Sequence, residues 1–407
     1  MRHLSRTIAA LAVAISTGCG GRITDPGPVD DGVLDQSVAH AALVNGMAKS
    51  FSRALGYVAY TGAAISREVV AAGSASASLF GITVKQRQGL LDPALGETND
   101  HWQFAQQARW VAEDGARRMR ETLGAEFAKS ALAAEALVQA GFANRLLGEN
   151  MCEGVIDGGA RQPRRVYFER AEAAFSEAMT IAAAVPNQNL LNAARAGRAS
   201  VRVGLNDWNG AAQDAAGVAP GFVYRARYSA VELEQYNRVY WSNANQPYRA
   251  HSAVGTFYDE YYRSTSDPRT PWRTNPAIPT GTITTVPWLF QVKFDRRESP
   301  INLVTASEMR LIVAESMLRD GSWQAALAEI NGLRAVAGVP SWNVASATEA
   351  WVALKRERGI VLWLEGRRLG DLHRWLADQS PGAVEDMAGR DTCFPIGQNE
   401  LDSNANL

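Results

Sequence analysis

Residues 307–375 leave little freedom in what this chain can form. In SEMRLIVAESMLRDG, Met309, Ile312, Val313, Ser316 and Met317 recur on one helical face, and Gly321 stands where a left-handed residue would end the helix. WQAALAEINGLRAVAG repeats the device, with Trp323, Ala326, Leu327, Ile330 and Leu333 as the apolar stripe and Gly338 and Pro340 as the stop. The two helices should pack as an antiparallel hairpin. A third helix opens on a capping box, Ser346 and Glu349, and carries LKRERGIVLWLEGRRLGDLHRW through to Trp375. Leu354, Val361, Leu369, Leu372 and Trp375 share its inward stripe, yet Arg358 and Glu365 lie on or beside it, and buried charges need partners. Arg368 and Asp371, three apart, are placed to pair. Two readings follow: a salt-bridged structural helix, favoured because nothing here is spaced for catalysis, or a charged ligand site.

The N-terminus reads as a signal peptide over residues 1–18. Arg2 and Arg6 precede an apolar run, residues 8–15, too short to span a bilayer. It ends at Ser16-Thr17-Gly18-Cys19, which resembles a bacterial lipobox and makes Cys19 the expected site of lipid attachment. Residues 19–36 contain Asp25-Pro26-Gly27-Pro28, Asp30 and Asp31 with few large apolar groups, so they read as a flexible tether. Fully extended, it would span about 55 Å. No later stretch reaches membrane-spanning length, which leaves lipid as the expected membrane anchor. Acylation of Cys19 leaves Cys152 and Cys393 in an exported chain where thiols oxidise. A disulfide between them is expected, worth roughly 3 to 5 kcal/mol in the chain-entropy model; the alternative is two buried free thiols.

In the mature chain, Leu43, Met47, Phe51 and Leu55 are spaced for a helix, residues 73–96 are rich in Gly, Ser and Ala and read as loop, and residues 101–123 and 125–147 read as long helices. An internal repeat then emerges. Ala171, Phe175 and Ala178, then Ala211, Ala215 and Val218, then Ala326, Ile330 and Leu333 run at steps of four and three. Small residues such as Gly197 and Ala314 lie upstream, and Pro186, Pro220 and Pro340 close the units, as in tetratricopeptide-like hairpins. The fold class expected is mostly α, a helical-repeat core over residues 37–407 with a loop-rich insertion at 236–305. Proline at 247, 268, 276 and 279 forbids a continued helix there. Residues 236–290 hold 11 of the 34 aromatics, so rings must sit on loops or short elements. They either seal the insertion against the core or present faces to a solute. Tyr261, Tyr262, Trp272 and Trp288 are the candidate ligand-binding residues, with Trp102, beside Asn99, from the other half of the chain.

Other chemistries find little footing. A net charge of -1 argues against a nucleic-acid partner. The five histidines are scattered without an HExxH pair and no CxxC occurs, so neither a metal nor a cofactor is expected. There is no GxSxG elbow or Walker loop. The acidic pairs Glu113-Asp114, Asp259-Glu260 and Glu385-Asp386, and the cluster Arg161, Arg164, Arg165 and Arg170, read as solvated surface.

Glu357-Arg358, Glu365-Gly366, Arg368, Asp371-Leu372 and Arg374-Trp375 together resemble the C-terminal signature of SusD/RagB-like lipoproteins. Lys293-Phe294, Pro300-Ile301, Glu308, Leu311-Ile312 and Ala314-Glu315 extend the likeness upstream, and Cys393-Phe394-Pro395-Ile396, Glu400, Asn404 and Asn406-Leu407 extend it to residue 407. Val361 stands where the family usually has Glu, and Ala405 replaces a proline. The resemblance implies a non-enzymatic outer-membrane lipoprotein facing outward. Such a protein would bind a nutrient, typically a glycan and in some members a peptide, and hand it to a TonB-dependent (SusC-like) transporter. A helical-repeat scaffold for protein partners and a glycoside hydrolase are the alternatives.

Overall fold

The structure, a computed structural model, describes residues 31–73, 84–94, 96–241 and 248–407. The expected signal peptide, Cys19, the tether up to residue 30 and residues 74–83 of the Gly/Ser/Ala stretch lie outside the described residues. Two described pieces depart from the reading as tether and loop. Asp31–Leu34 is a helical turn, and Asp31 and Asp35 pair with Arg118 at 2.9 and 2.8 Å, which fixes the end of the expected tether to the body. Val84–Gln88 is also helical.

The N-terminal half is a run of helices that each pack on the next: α1 (His40–Ile65), α2 (Gly96–Leu123), α3 (Ala131–Asn150), α4 (Arg165–Ala184), α5 (Gln188–Leu205) and α6 (Trp208–Ala216). Short polar residues start three of them by accepting orphan amides: Ser130 from Ala133, Asn187 from Leu190, and Asp207 from Gly210. Asn206, in the left-handed region at φ 64°, ends α5. All nine repeat positions expected to face inward are buried. Phe175 of α4 shows why small residues accompany them. Its ring lies between Gly141 of α3 and Gly197 of α5, and a Cβ at either glycine would overlap it.

Strands β1 (Val223–Ala226) and β2 (Ile301–Thr305) pair antiparallel and bracket the insertion, in which α7 (Phe257–Thr265) is the main regular element. β2 runs straight into α8 (Ala306–Arg319), whose first turn is capped by the Thr305 hydroxyl accepting from the Glu308 amide at 3.0 Å. α9 (Trp323–Val336) folds back on α8 as expected, after Gly321 at φ 81°. α10 (Ala347–Val361) completes a satellite core of Leu311, Leu318, Ile330, Leu333, Trp351 and Leu354. Ser346 caps α10, and the Glu349 carboxylate reaches back to the Ala345 amide at 2.6 Å.

One expectation for this region fails. The third helix does not run to Trp375: the chain breaks after Val361, turns through Leu364 at φ 62° and Gly366 at φ 74°, and resumes as α11 (Arg368–Ala377). The expected disulfide between Cys152 and Cys393 is present, with Cα atoms 5.0 Å apart. The strand-like contact beside it, Cys152 amide to Phe394 carbonyl and Phe394 amide to Asn150 carbonyl, ties the C-terminal segment to the end of α3.

Because Phe175 has no space to retreat between two helices, Gly197→Ala should destabilise the protein by about 1–3 kcal/mol through overpacking. The same change at Gly62, where nothing lies within 4 Å of the added atom, should be neutral or slightly stabilising. Urea midpoints of the two variants check the contrast.

Candidate functional site

The charged residues of 357–375 decide between the two readings of that region. Glu315 of α8 is fully buried and accepts from Arg374 (2.5 and 3.0 Å) and from the Trp375 indole (3.0 Å). Asp371 receives two bonds from Arg358, both 3.0 Å, and one from Arg374 at 3.1 Å. Burial alone would raise both carboxyls, but the arginines override it; Asp371 is held down to about 2 and Glu315 below its ordinary range. Glu357 accepts from Arg269, Arg334 and the Trp342 indole at 2.6–2.9 Å, and Glu365 from Lys293 and Asn302. Arg367 links Glu308 to Glu149 across to α3. Arg368 does not pair with Asp371 as its spacing suggested. It bonds the Lys355 carbonyl at 2.8 Å and approaches Glu385, because Asp371 is already taken by Arg358, a partner thirteen residues away that only the chain break brings near. These charges are committed to each other, so the region is a structural hub.

The break itself rests on a buried carboxyl. Glu68, just beyond α1, accepts the Leu364 amide at 2.7 Å, which holds a leucine in a left-handed conformation that L-residues disfavour. Burial pushes the Glu68 carboxyl up to about 7, against the pull of Arg368 and Lys293, with Glu365 adding to the rise.

Of the rings expected to bind ligand, three are packing residues. Trp288 is 2% exposed and lies against Phe290 at 4.5 Å. Tyr261 stacks on Phe257 (5.2 Å) and Trp342 (6.3 Å), donates to Asp267 at 2.5 Å and accepts from Arg334 at 3.0 Å. Trp102 is buried, its indole directed to Glu400 at 3.4 Å. Each has its faces withdrawn from solvent: Tyr261 and Trp288 seal the insertion onto the hub, and Trp102 of α2 packs against the C-terminal segment at Gly397 and Glu400. Tyr262 and Trp272 remain half-exposed and meet edge to face at 5.5 Å, with Arg263 4.5 Å from the Trp272 ring. A second half-exposed group was missed: Tyr236, Trp241 and Tyr248 follow one another at 5.1 and 5.6 Å, and the Arg297 guanidinium lies 4.9 and 4.8 Å from the first two rings. The signal that marks it is the polar, proline-ended run SNANQP at 242–247, since rings flanking such a run have little apolar surface to pack on.

Four of the six residues in the acidic pairs are tied to arginines, while Glu260 and Asp386 stay exposed. Glu113 is held by Arg109, Arg170 and Asn144, Asp114 by Arg117 and Arg118, Asp259 by Arg263, and Glu385 by Arg356. Of the arginine cluster, Arg161, Arg165 and Arg170 pair with carboxylates, while burial lowers Arg164 to about 10. Among the described residues no group of three or more His, Cys, Asp or Glu is arranged to hold a metal ion.

Comparison with known proteins places this geometry. Residues 234–407 match the model of the SusD family. The fold is shared with a SusD-like carbohydrate-binding protein from Bacteroides vulgatus (14% identity, 91% of this chain and 97% of that one, TM-score 0.64). It is shared also with a SusD-like protein from Bacteroides fragilis (11%, 93% and 97%, 0.65) and with a laminarin-binding SusD-like protein (13%, 91% and 98%, 0.65). Comparison with curated protein sequences finds no match.

The Glu68 carboxyl gives the protein a pH dependence of unusual sign. Its pKa is raised on folding, so between about 4.5 and 7 the unfolded chain has released a proton that the native state keeps. Stability therefore falls as pH rises through that window, by roughly 3 kcal/mol from this group. Glu68→Gln keeps the acceptor for Leu364 and removes the titration. Its stability relative to the parent should rise between pH 5 and pH 8, measured by urea unfolding of both proteins; a constant difference would refute the assignment.

Proposed function

We propose that the chain is a SusD/RagB-like protein, anchored to the outer membrane by lipid, that binds a nutrient glycan and passes it, chemically unchanged, to a TonB-dependent transporter. The observation that carries the glycan reading is the set of half-exposed rings on the insertion: Tyr236, Trp241 and Tyr248 with Arg297, and Tyr262 and Trp272 with Arg263. An aromatic face suits the C–H side of a sugar ring, and an adjacent guanidinium supplies donors to its hydroxyls. The buried hub holds these rings on a rigid frame, which limits the ordering cost of binding. The carbohydrate-binding and laminarin-binding proteins that share the fold support the same ligand class. Binding is favoured over hydrolysis because one member or both of each acidic pair weighed for hydrolysis is tied to arginine, which leaves no pair of free carboxylates among them. The membrane address rests on Cys19 and the apolar run before it; among the described residues no helix is long and apolar enough to cross a bilayer.

A glycan array on the purified protein should find a neutral oligosaccharide ligand. With that ligand, Trp241→Ala and Trp272→Ala should each weaken binding about tenfold, the loss of one stacked ring at roughly 1–2 kcal/mol. Calorimetry measures this, with circular dichroism as the check on folding. If both variants bind like the parent, the insertion is not the site.

The anchor is tested separately. Cys19→Ala should move the protein from the membrane fraction to the soluble one. Unchanged membrane association in cells lacking the transporter would refute lipid attachment at Cys19.

A further inference from the structure

Among the described residues Trp110 is the aromatic side chain left most open to solvent, at 52%, and it stands beside a cleft of about 250 Å³. Three segments form the walls. α2 contributes Gln106, Gln107 and Trp110, the loop after Cys152 contributes Val155, Asp157 and Gly158, and the helical turn after Cys393 contributes Glu400. The cleft is held in shape from behind. Arg109, buried, donates to Asp157 at 2.6 Å, to Glu113 at 2.7 Å and to the Gln106 side-chain Oε1 at 3.1 Å. The Gln106 amide donates to the Tyr167 hydroxyl and the Val155 carbonyl. Asn406 and Asn404 donate to the carbonyls of Gly158 and Gly159, which fixes the loop to the C-terminal segment. The Cys152–Cys393 disulfide joins the roots of those same two walls.

We infer that this cleft is a second saccharide subsite, in which the Trp110 indole stacks on one sugar ring while Gln107, Asp157 and Glu400 bond its hydroxyls. The lining selects the ligand class. A protein partner needs a contiguous apolar core to its interface, and here a single tryptophan stands among polar groups. Side chains that both donate and accept, as Gln107 does, match hydroxyls, which also do both. The ligand is neutral, since Arg109 is already matched by Glu113 and Asp157, and a uronic acid would meet the Asp157 and Glu400 carboxylates. None of the lining residues belongs to the insertion, so the subsite rests on the glycan-binding reading but uses different atoms.

The test titrates the purified protein with maltotriose, cellotriose and laminaritriose, followed by calorimetry and tryptophan emission, for the parent, Trp110→Ala, Trp110→Phe and Trp241→Ala. At least one trisaccharide should perturb the emission that Trp110→Ala removes. Trp110→Ala should lose about tenfold in affinity for it, and Trp110→Phe should recover most of the loss. Because the side chain is exposed, the melting temperature of both variants should stay at the parent value. Binding lost in Trp241→Ala alone would overturn the subsite and leave the insertion reading standing. Loss in Trp110→Ala alone would do the reverse. If no trisaccharide perturbs Trp110 emission, the subsite is refuted.

Discussion

Glu315 is the constraint on which the rest depends. Removing a carboxylate from water costs several kcal/mol, and the cost is offset only if every lone pair finds a donor. Arg374 and the Trp375 indole supply those donors, Arg374 is shared with Asp371, and Asp371 in turn fixes Arg358. Each member thus keeps its charge partner only if α8, α10 and α11 sit in one arrangement. Loss of any one partner would strand a buried charge, at a cost of about 3–5 kcal/mol. The network therefore specifies a packing that apolar contacts alone would leave looser.

Further buried pairs tie the neighbouring elements and the insertion to the same region. Glu308 and Arg367 tie α8 to Glu149 of α3. Glu357 takes Arg269, which also holds Asp267, and Asp267 holds the Tyr261 hydroxyl, so the insertion hangs from α10. Glu365 receives Lys293 from the strand side of the insertion. The residues that resemble the SusD/RagB signature are in this sense wiring for the frame. The rings that the frame leaves in solvent, those proposed for ligand recognition, lie outside that signature.

The buried charges also explain why part of the local reading failed. Periodicity alone joins residues 346–375 into one helix, and an i, i+3 pair between Arg368 and Asp371 follows from that. The break at Leu364 is imposed by Glu68, almost three hundred residues away in sequence, and no local signal reports it. With the helix broken, Asp371 turns to Arg358 and Arg368 to Glu385. The same limit applies to the aromatics. Composition showed that the insertion concentrates rings, but a ring that seals a core and a ring that faces a solute have the same sequence signature, and Trp288 and Trp272 were indistinguishable before packing separated them. Trp110 went unmarked because it lies in a helix with apolar neighbours.

The sequence by itself determined the helical class, the repeat positions, the glycine stops after α8 and α9, the N-cap of α10 and the pairing of Cys152 with Cys393. These follow from spacing, from turn chemistry, and from the parity of cysteines once Cys19 is read as a lipid-attachment site, all of which are local or combinatorial. Only the tertiary structure decided which charge pairs with which, where the third helix breaks, and which rings keep a face in water. Those depend on groups distant in sequence meeting in a low-dielectric interior, where one partner excludes another and where burial, set by the whole fold, assigns each side chain to packing or to recognition.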